Sequence, residues 1–156
     1  MWNGYVQLGD GTTTDRLTPV EVVGLASGVV AVAAYWRHTC ALTAAGGVKC
    51  WGRNDYGQLG DGTTTGRLTP VDVAGLASGV AGLAAGGFHT CALTAAGGVK
   101  CWGYNGQGQV GDGTTTQRST PVEVVGFGGS TSPAWTVMFY MAADNNLDTT
   151  LTMEYT

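Results

Sequence analysis

Short apolar stretches separated by glycine-rich polar ones run along most of the chain, and none approaches the roughly 20 residues of a membrane-spanning helix. Pro70-Val71-Asp72-Val73 alternates with a period of two, the signature of a half-buried strand. Residues 80–85, VAGLAA, read as a strand of small side chains. Residues 89–94 and 99–103 flank an Ala-Ala-Gly-Gly turn and predict a hairpin, followed by a Gly-rich polar loop over 105–116. No segment before residue 140 sustains a helical period.

The pattern repeats. Shifted by 51 residues, CALTAAGGVKCWG at 40–52 falls on the same letters at 91–103. Residues 3–50 match residues 54–101 at 37 of 48 positions, and 40–75 match 91–126 at 28 of 36. The 27 glycines, an excess over the usual ~7%, therefore mark turns at a fixed interval and not a phosphate-binding loop. Four short strands per unit of about 50 residues is the arithmetic of a β-propeller blade. The expectation is an all-β fold, a partial β-propeller of about two and a half four-stranded blades over residues 1–126. Small residues in 80–85 suit close packing near a narrow channel.

Charge and cysteine narrow the function classes. Residues 1–126 hold all 7 Lys and Arg against 8 of the Asp and Glu, with no basic run, so nucleic acid is a poor partner. Met1-Trp2-Asn3-Gly4-Tyr5 has neither the basic nor the apolar region of a signal peptide. Cys40 and Cys50, like Cys91 and Cys101, are too far apart for a zinc or redox C-x-x-C motif. An odd hairpin loop of three or five residues with Gly in the left-handed position sets Leu42 opposite Val48 and Cys40 opposite Cys50. Opposed cysteines sit within disulfide range, with buried free thiols as the alternative. A disulfide places the protein in an oxidising compartment, extracellular or at the cell surface.

Several side chains invite a chemical reading. His38 and His89 share one repeat position with no further ligands close in sequence, so a structural hydrogen bond to a neighbouring loop is expected. Asp10, Asp61 and Asp112 lie in Gly-Asp-Gly-Thr-Thr-Thr and suit a turn in which the carboxylate accepts an N–H two residues on. One carboxylate per loop is too few for calcium, so no metal or cofactor is expected. Trp51 and Trp102 read as core between blades. Partner-facing candidates are sought where the repeats disagree. Tyr35-Trp36-Arg37 stands against Gly86-Gly87-Phe88, Asp55-Tyr56 against Gly106-Gln107, and Arg53 against Tyr104. Aromatic residues and Arg are enriched at binding hot spots. Tyr35, Trp36, Arg37, Arg53, Tyr56, Phe88 and Tyr104 therefore form the candidate set for a protein or cell-surface partner, against solvated loops left free to vary.

HTCALTAAGGVKCWG, then N-x-x-G-Q-L-G-D-G-T, then T-P-V resembles the regulator of chromosome condensation repeat family in its bacterial form. The resemblance covers 1 to about 126 and implies a seven-bladed ring in full-length members, so further blades are expected from flanking sequence. The chain is expected to begin inside a unit, because Met1-Trp2 stands where Trp-Gly belongs. A chromatin or exchange-factor role, implied by eukaryotic relatives, is disfavoured by the acidic charge.

Beyond the repeats, 127–134 reads as a linker, and 135–141 is an apolar run of the kind found in a strand buried on both faces. Asp144-Asn145-Asn146 reads as a cap, with a helix opening at Leu147. WTVMFYMAADNNLD resembles the opening strand of clostripain-like cysteine peptidases, so 135–156 is expected to be the start of such an α/β domain. In that family the nucleophilic Cys and its His lie well downstream, and no residue here is assigned to catalysis. The expected function is non-catalytic recognition by propeller repeats, with an accessory role for a secreted peptidase as the alternative.

Overall fold

The computed structural model describes residues 2–127. The expected linker from 128 onward, the strand at 135–141 and the helix from Leu147 lie outside these residues. Eight strands form two four-stranded antiparallel sheets, with no helix among the described residues. The first sheet is β1 (Val29–Tyr35), β2 (His38–Thr43), β3 (Val48–Gly52) and β4 (Arg67–Asp72), in that order. The second repeats it with β5 (Val80–Ala85), β6 (His89–Thr94), β7 (Val99–Gly103) and β8 (Arg118–Glu123).

The β2–β3 hairpin has the expected register. Leu42 faces Val48 and Cys40 faces Cys50 across a three-residue loop whose last residue, Gly46, takes φ 77°. Gly46 N–H bonds Thr43 C=O at 2.8 Å, and Thr43 N–H bonds Gly47 C=O at 2.9 Å. The same register closes Cys91 onto Cys101, and both pairs are disulfides with Cα atoms 4.1 Å apart. Gly52 and Gly103 end β3 and β7 at φ 105° and 107°, where a Cβ would meet the Arg37 or Phe88 carbonyl oxygen.

Pro70-Val71-Asp72 belongs to β4 and pairs with β3 of its own sheet, Cys50 facing Val71, not with the strand that starts at Val80. As the outer strand of its sheet β4 tolerates Pro70, which has no N–H for a further neighbour. A blade therefore runs from 29 to 72, and the next from 80 to 123. The equivalent of β4 in the first copy, residues 16–21, forms no strand.

The blades share one core. β5 packs on β1 and β2. Cys40, Leu42, Val48 and Cys50 of the first sheet bury with Leu59, Val73 and Leu76 from the loops and with Ala92 and Trp102 of the second. Cys91, Val99, Cys101 and Val110 form a smaller cluster in the second blade. The outward face of β1 is open, with Val30 and Val32 each about 60% exposed.

Candidate functional site

The identical residues of the repeats build a scaffold. Asn54 is fully buried and straps its loop from inside. Its Nδ2 donates to the carbonyls of Thr63 and Thr65 at 3.0 and 3.1 Å, and its Oδ1 accepts Leu59 N–H at 2.9 Å. Asn3 and Asn105 do the same in their copies. Asp61 Oδ1 accepts the N–H and hydroxyl of Thr63, while Oδ2 pairs with Arg67 at 2.7 Å. Asp10 and Asp112 repeat the arrangement with Arg16 and Arg118. These carboxylates fill the turn role expected of them. The Thr114 hydroxyl, more than it is opposed by burial, holds Asp112 down at about 2, with Arg118 helping. For Asp61 burial pushes upward, and the bonds from Thr63 and Arg67 outweigh it. Among the described residues no three of His, Cys, Asp and Glu gather where they could hold a metal ion.

Between blades, one backbone carbonyl ties the joint. Gln58 C=O accepts from Trp102 Nε1 and Thr90 Oγ1, both at 2.9 Å. Gln7 C=O accepts from Trp51 and Thr39 at 2.8 and 3.0 Å. His38 Nε2 lies 2.9 Å from Thr90 Oγ1. Thr90 has a single hydroxyl proton and gives it to Gln58, so His38 donates through Nε2–H. The partner is thus a strand residue of the next blade and not a loop. Nδ1 is left bare and buried. Burial, with the nearby His89 second, lowers the His38 pKa to about 4, so the ring is neutral near pH 7.

The residues that differ between repeats meet along one edge. Trp36 and Arg37 form the two-residue turn from β1 to β2, and Gly86, Gly87 and Phe88 the turn from β5 to β6. Arg53 N–H bonds Arg37 C=O and Tyr104 N–H bonds Phe88 C=O, each at 2.8 Å, which fixes each β3 or β7 exit beside its turn. Tyr56 stands 5.1 Å from both the Phe88 and Tyr104 rings, and Trp36 lies 5.3 Å from Phe88. The Arg53 guanidinium sits 5.7 Å from the Phe88 ring and 6.0 Å from Tyr56, and forms an ion pair with Asp55. The Arg37 guanidinium lies 4.3 Å from the Trp36 ring. Edge-to-face rings and cation–π contacts of this kind each contribute roughly 0.5–1.5 kcal/mol.

Six of the seven candidate residues thus form one contiguous cluster. Tyr35 flanks it, 56% exposed, walling with Trp36 an open depression of about 440 Å³. Trp36 holds φ 45°, a left-handed conformation costly for a bulky side chain, while Arg37 N–H bonds Tyr35 C=O at 2.7 Å. Two members escaped the sequence reading. Tyr5 lies 4.2 Å from the Arg37 guanidinium and 5.2 Å from that of Arg53, and Trp2 packs on Tyr5 at 5.1 Å. Tyr5 is identical to its counterpart Tyr56, so a search for disagreement passes over it. The same 51-residue shift puts Trp2 against Arg53 and Tyr104, a signal that was there to use.

Comparison with known proteins identifies the repeat. The regulator of chromosome condensation (RCC1) repeat matches residues 2–42, 45–93 and 96–138, and a second form of it matches 29–58 and 80–109. The chain is 38% identical over 125 residues to the ultraviolet-B receptor UVR8 of Arabidopsis thaliana, covering 79% of this chain and 28% of that protein. It is 37% identical over 119 residues to the human E3 ubiquitin-protein ligase HERC2, covering 75% of this chain and 2% of that one. Human WBSCR16 superposes with a TM-score of 0.68 at 28% identity, over 78% of this chain and 31% of that structure. Prp20p from Saccharomyces cerevisiae shares the fold at TM-score 0.66 and 22% identity, over 78% and 32%. The chain therefore spans a third or less of each of these proteins, and it belongs to the regulator of chromosome condensation (RCC1) repeat family.

Proposed function

We propose that the chain is a non-catalytic recognition segment that holds a protein or cell-surface partner on its aromatic and arginine edge. The observation that carries this reading is the convergence of the divergent residues. The scaffold positions repeat, while Trp36, Arg37, Arg53, Tyr56, Phe88 and Tyr104 differ between copies and yet touch one another. Large aromatics and Arg at one solvent-facing edge are the composition of a hot spot. Proteins of this fold bind other proteins, as the yeast Prp20p studied for its binding to Gsp1p and histones illustrates. Two disulfides support a setting outside the cytoplasm, and the form of the repeat motif is what favours an exported protein of the bacterial type. The excess of 11 acidic over 7 basic residues supports a protein partner over nucleic acid.

The test is capture with the immobilised chain from extracellular and cytosolic fractions of the source cells. A protein retained from the extracellular fraction by the parent and by Lys49→Ala, but not by Trp36→Ala combined with Tyr56→Ala, is the expected outcome. Equal retention by the double variant would refute the edge as the binding surface.

A second reading is favoured by residues 135–148 and their likeness to the first strand of clostripain-like peptidases. Under it the propeller positions a secreted cysteine peptidase whose His and Cys are encoded downstream. Reading the codons that follow Thr156 decides that point.

A further inference from the structure

The chain has 7 Lys and Arg residues, and six of them are ion-paired: Arg16, Lys49, Arg53, Arg67, Lys100 and Arg118. The seventh, Arg37, has no carboxylate in range among the described residues, and it stands in the middle of the aromatic edge. Its guanidinium is held between the rings of Tyr5 at 4.2 Å and Trp36 at 4.3 Å. Nε is buried with no hydrogen-bond partner, whereas neither Nη is among the buried, unpartnered atoms. Among the described residues neither Nη has a hydrogen-bond acceptor, and neither is fully closed off from solvent. Burial of part of a guanidinium without an anion is costly, and the rings compensate only in part. Arg53, a neighbour in the same cluster, shows the complement such a group takes: the carboxylate of Asp55.

The strained turn adds a second observation. Trp36 adopts φ 45° although its counterpart in the next blade is a glycine, and in that conformation its ring lies against the Arg37 guanidinium. Strain of this kind concentrates where a side chain is being held for a ligand. Two rings fix the plane of the guanidinium, so its open Nη edge is preorganised to meet a planar acceptor through two parallel N–H···O bonds.

We infer that Arg37 is the receptor for a carboxylate, an Asp or Glu side chain in an acidic segment of the partner protein, with the rings of Trp36 and Tyr5 flanking it. This inference rests on the recognition reading above and names the chemistry of the partner at that edge. The carboxylate completes the seventh ion pair, and apolar neighbours of the acidic residue lie over the depression walled by Tyr35 and Trp36.

The experiment uses the whole chain labelled with 15N and three small probes: benzoate, its neutral isostere benzamide, and inorganic phosphate. The closed-off Nε–H of Arg37 gives a cross-peak near neutral pH, assigned by its loss in Arg37→Lys. Benzoate is expected to shift that peak and the ring signals of Trp36 saturably, while benzamide leaves them in place and phosphate binds more weakly. Arg37→Gln loses about tenfold or more in benzoate affinity read from the rings, and Arg37→Lys loses severalfold because the fork is gone. Lys49→Gln binds like the parent, and melts of all variants check folding. Equal shifts with benzamide, phosphate as strong as benzoate, or undiminished binding by Arg37→Gln would each overturn the assignment. In the capture experiment, loss of the partner by the Trp36 and Tyr56 double variant but not by Arg37→Gln leaves the recognition edge standing and removes the carboxylate site. Retention by both removes the edge itself.

Discussion

Blade one turns from β1 to β2 through Trp36 and Arg37, and blade two makes the same connection through Gly86, Gly87 and Phe88. A few residues away, at the joint, Thr90 and Trp102 bond Gln58 C=O as Thr39 and Trp51 bond Gln7 C=O in the preceding copy, with His38 added on Thr90. The difference between the two regions is one of constraint. At the joint a carbonyl accepts an indole and a hydroxyl in a buried space, and any change leaves a buried polar group alone. At the turn the backbone bonds are supplied by Arg53 N–H and Tyr104 N–H whatever the side chains are. Side chains at the turn are therefore free to serve a partner, and those at the joint are not.

The sharpest way to break the comparison is inside the scaffold. Asn54→Ala removes the buried strap that holds two carbonyls and an N–H of its loop, and should lower stability by roughly 3–5 kcal/mol. A denaturant midpoint no lower than that of an exposed control would contradict the account of the loop.

Acid provides the next test. His38 falls from its ordinary 6.5 to about 4 on folding, so the unfolded chain binds the proton first. Its contribution is complete above pH 6.5 and is lost as pH falls toward 4, worth roughly 3 kcal/mol. Burial lowers His89 in the same sense. The contribution of Asp112, held down at about 2 from its ordinary 3.8, is lost only at lower pH, as pH falls through that range. Stability measured between pH 7 and 4 should decline in the parent and flatten in His38→Gln, offset by that variant's lower plateau.

Reducing the Cys40–Cys50 bridge, or replacing both residues by Ser, should cost about 2–3 kcal/mol through the unfolded chain's regained freedom. Thermal melts with and without reductant read it directly.

The smallest effect compares the copies at a single position. Val6 holds φ 59° where the other copies place Gly57 and Gly108 at 76° and 77°. A β-branched residue is strained there, so Val6→Gly should stabilise by ~1 kcal/mol, seen as a raised melting temperature.

Much of the scaffold was legible in the repeats. Cysteine pairing followed from the odd loop and its left-handed glycine, and the Asp turns followed from Asp-Gly-Thr. The strand phase was not legible, because a period of 51 states how far the pattern recurs and not where a blade begins; Pro70 was the clue to an outer strand. The joint escaped because its acceptor is a backbone carbonyl, which leaves no mark in the letters of Gln7 or Gln58. The aromatic edge was visible as disagreement between copies, so Tyr5, which agrees with Tyr56, was passed over. That Arg37 has no carboxylate in range among the described residues is a matter of three-dimensional neighbours, and no spacing along the chain announces it.

The central claim is that the turn serves binding and the joint serves folding. It is tested most directly by transplanting the second blade's turn onto the first, with Tyr35→Gly, Trp36→Gly and Arg37→Phe together. Denaturant unfolding of this variant is predicted to lose about 1–2 kcal/mol, well short of Asn54→Ala, since relief of Trp36 offsets part of the ring contacts given up. Benzoate binding at the edge is predicted to vanish in the same sample. A stability loss approaching that of Asn54→Ala, or benzoate affinity equal to the parent's, would contradict it.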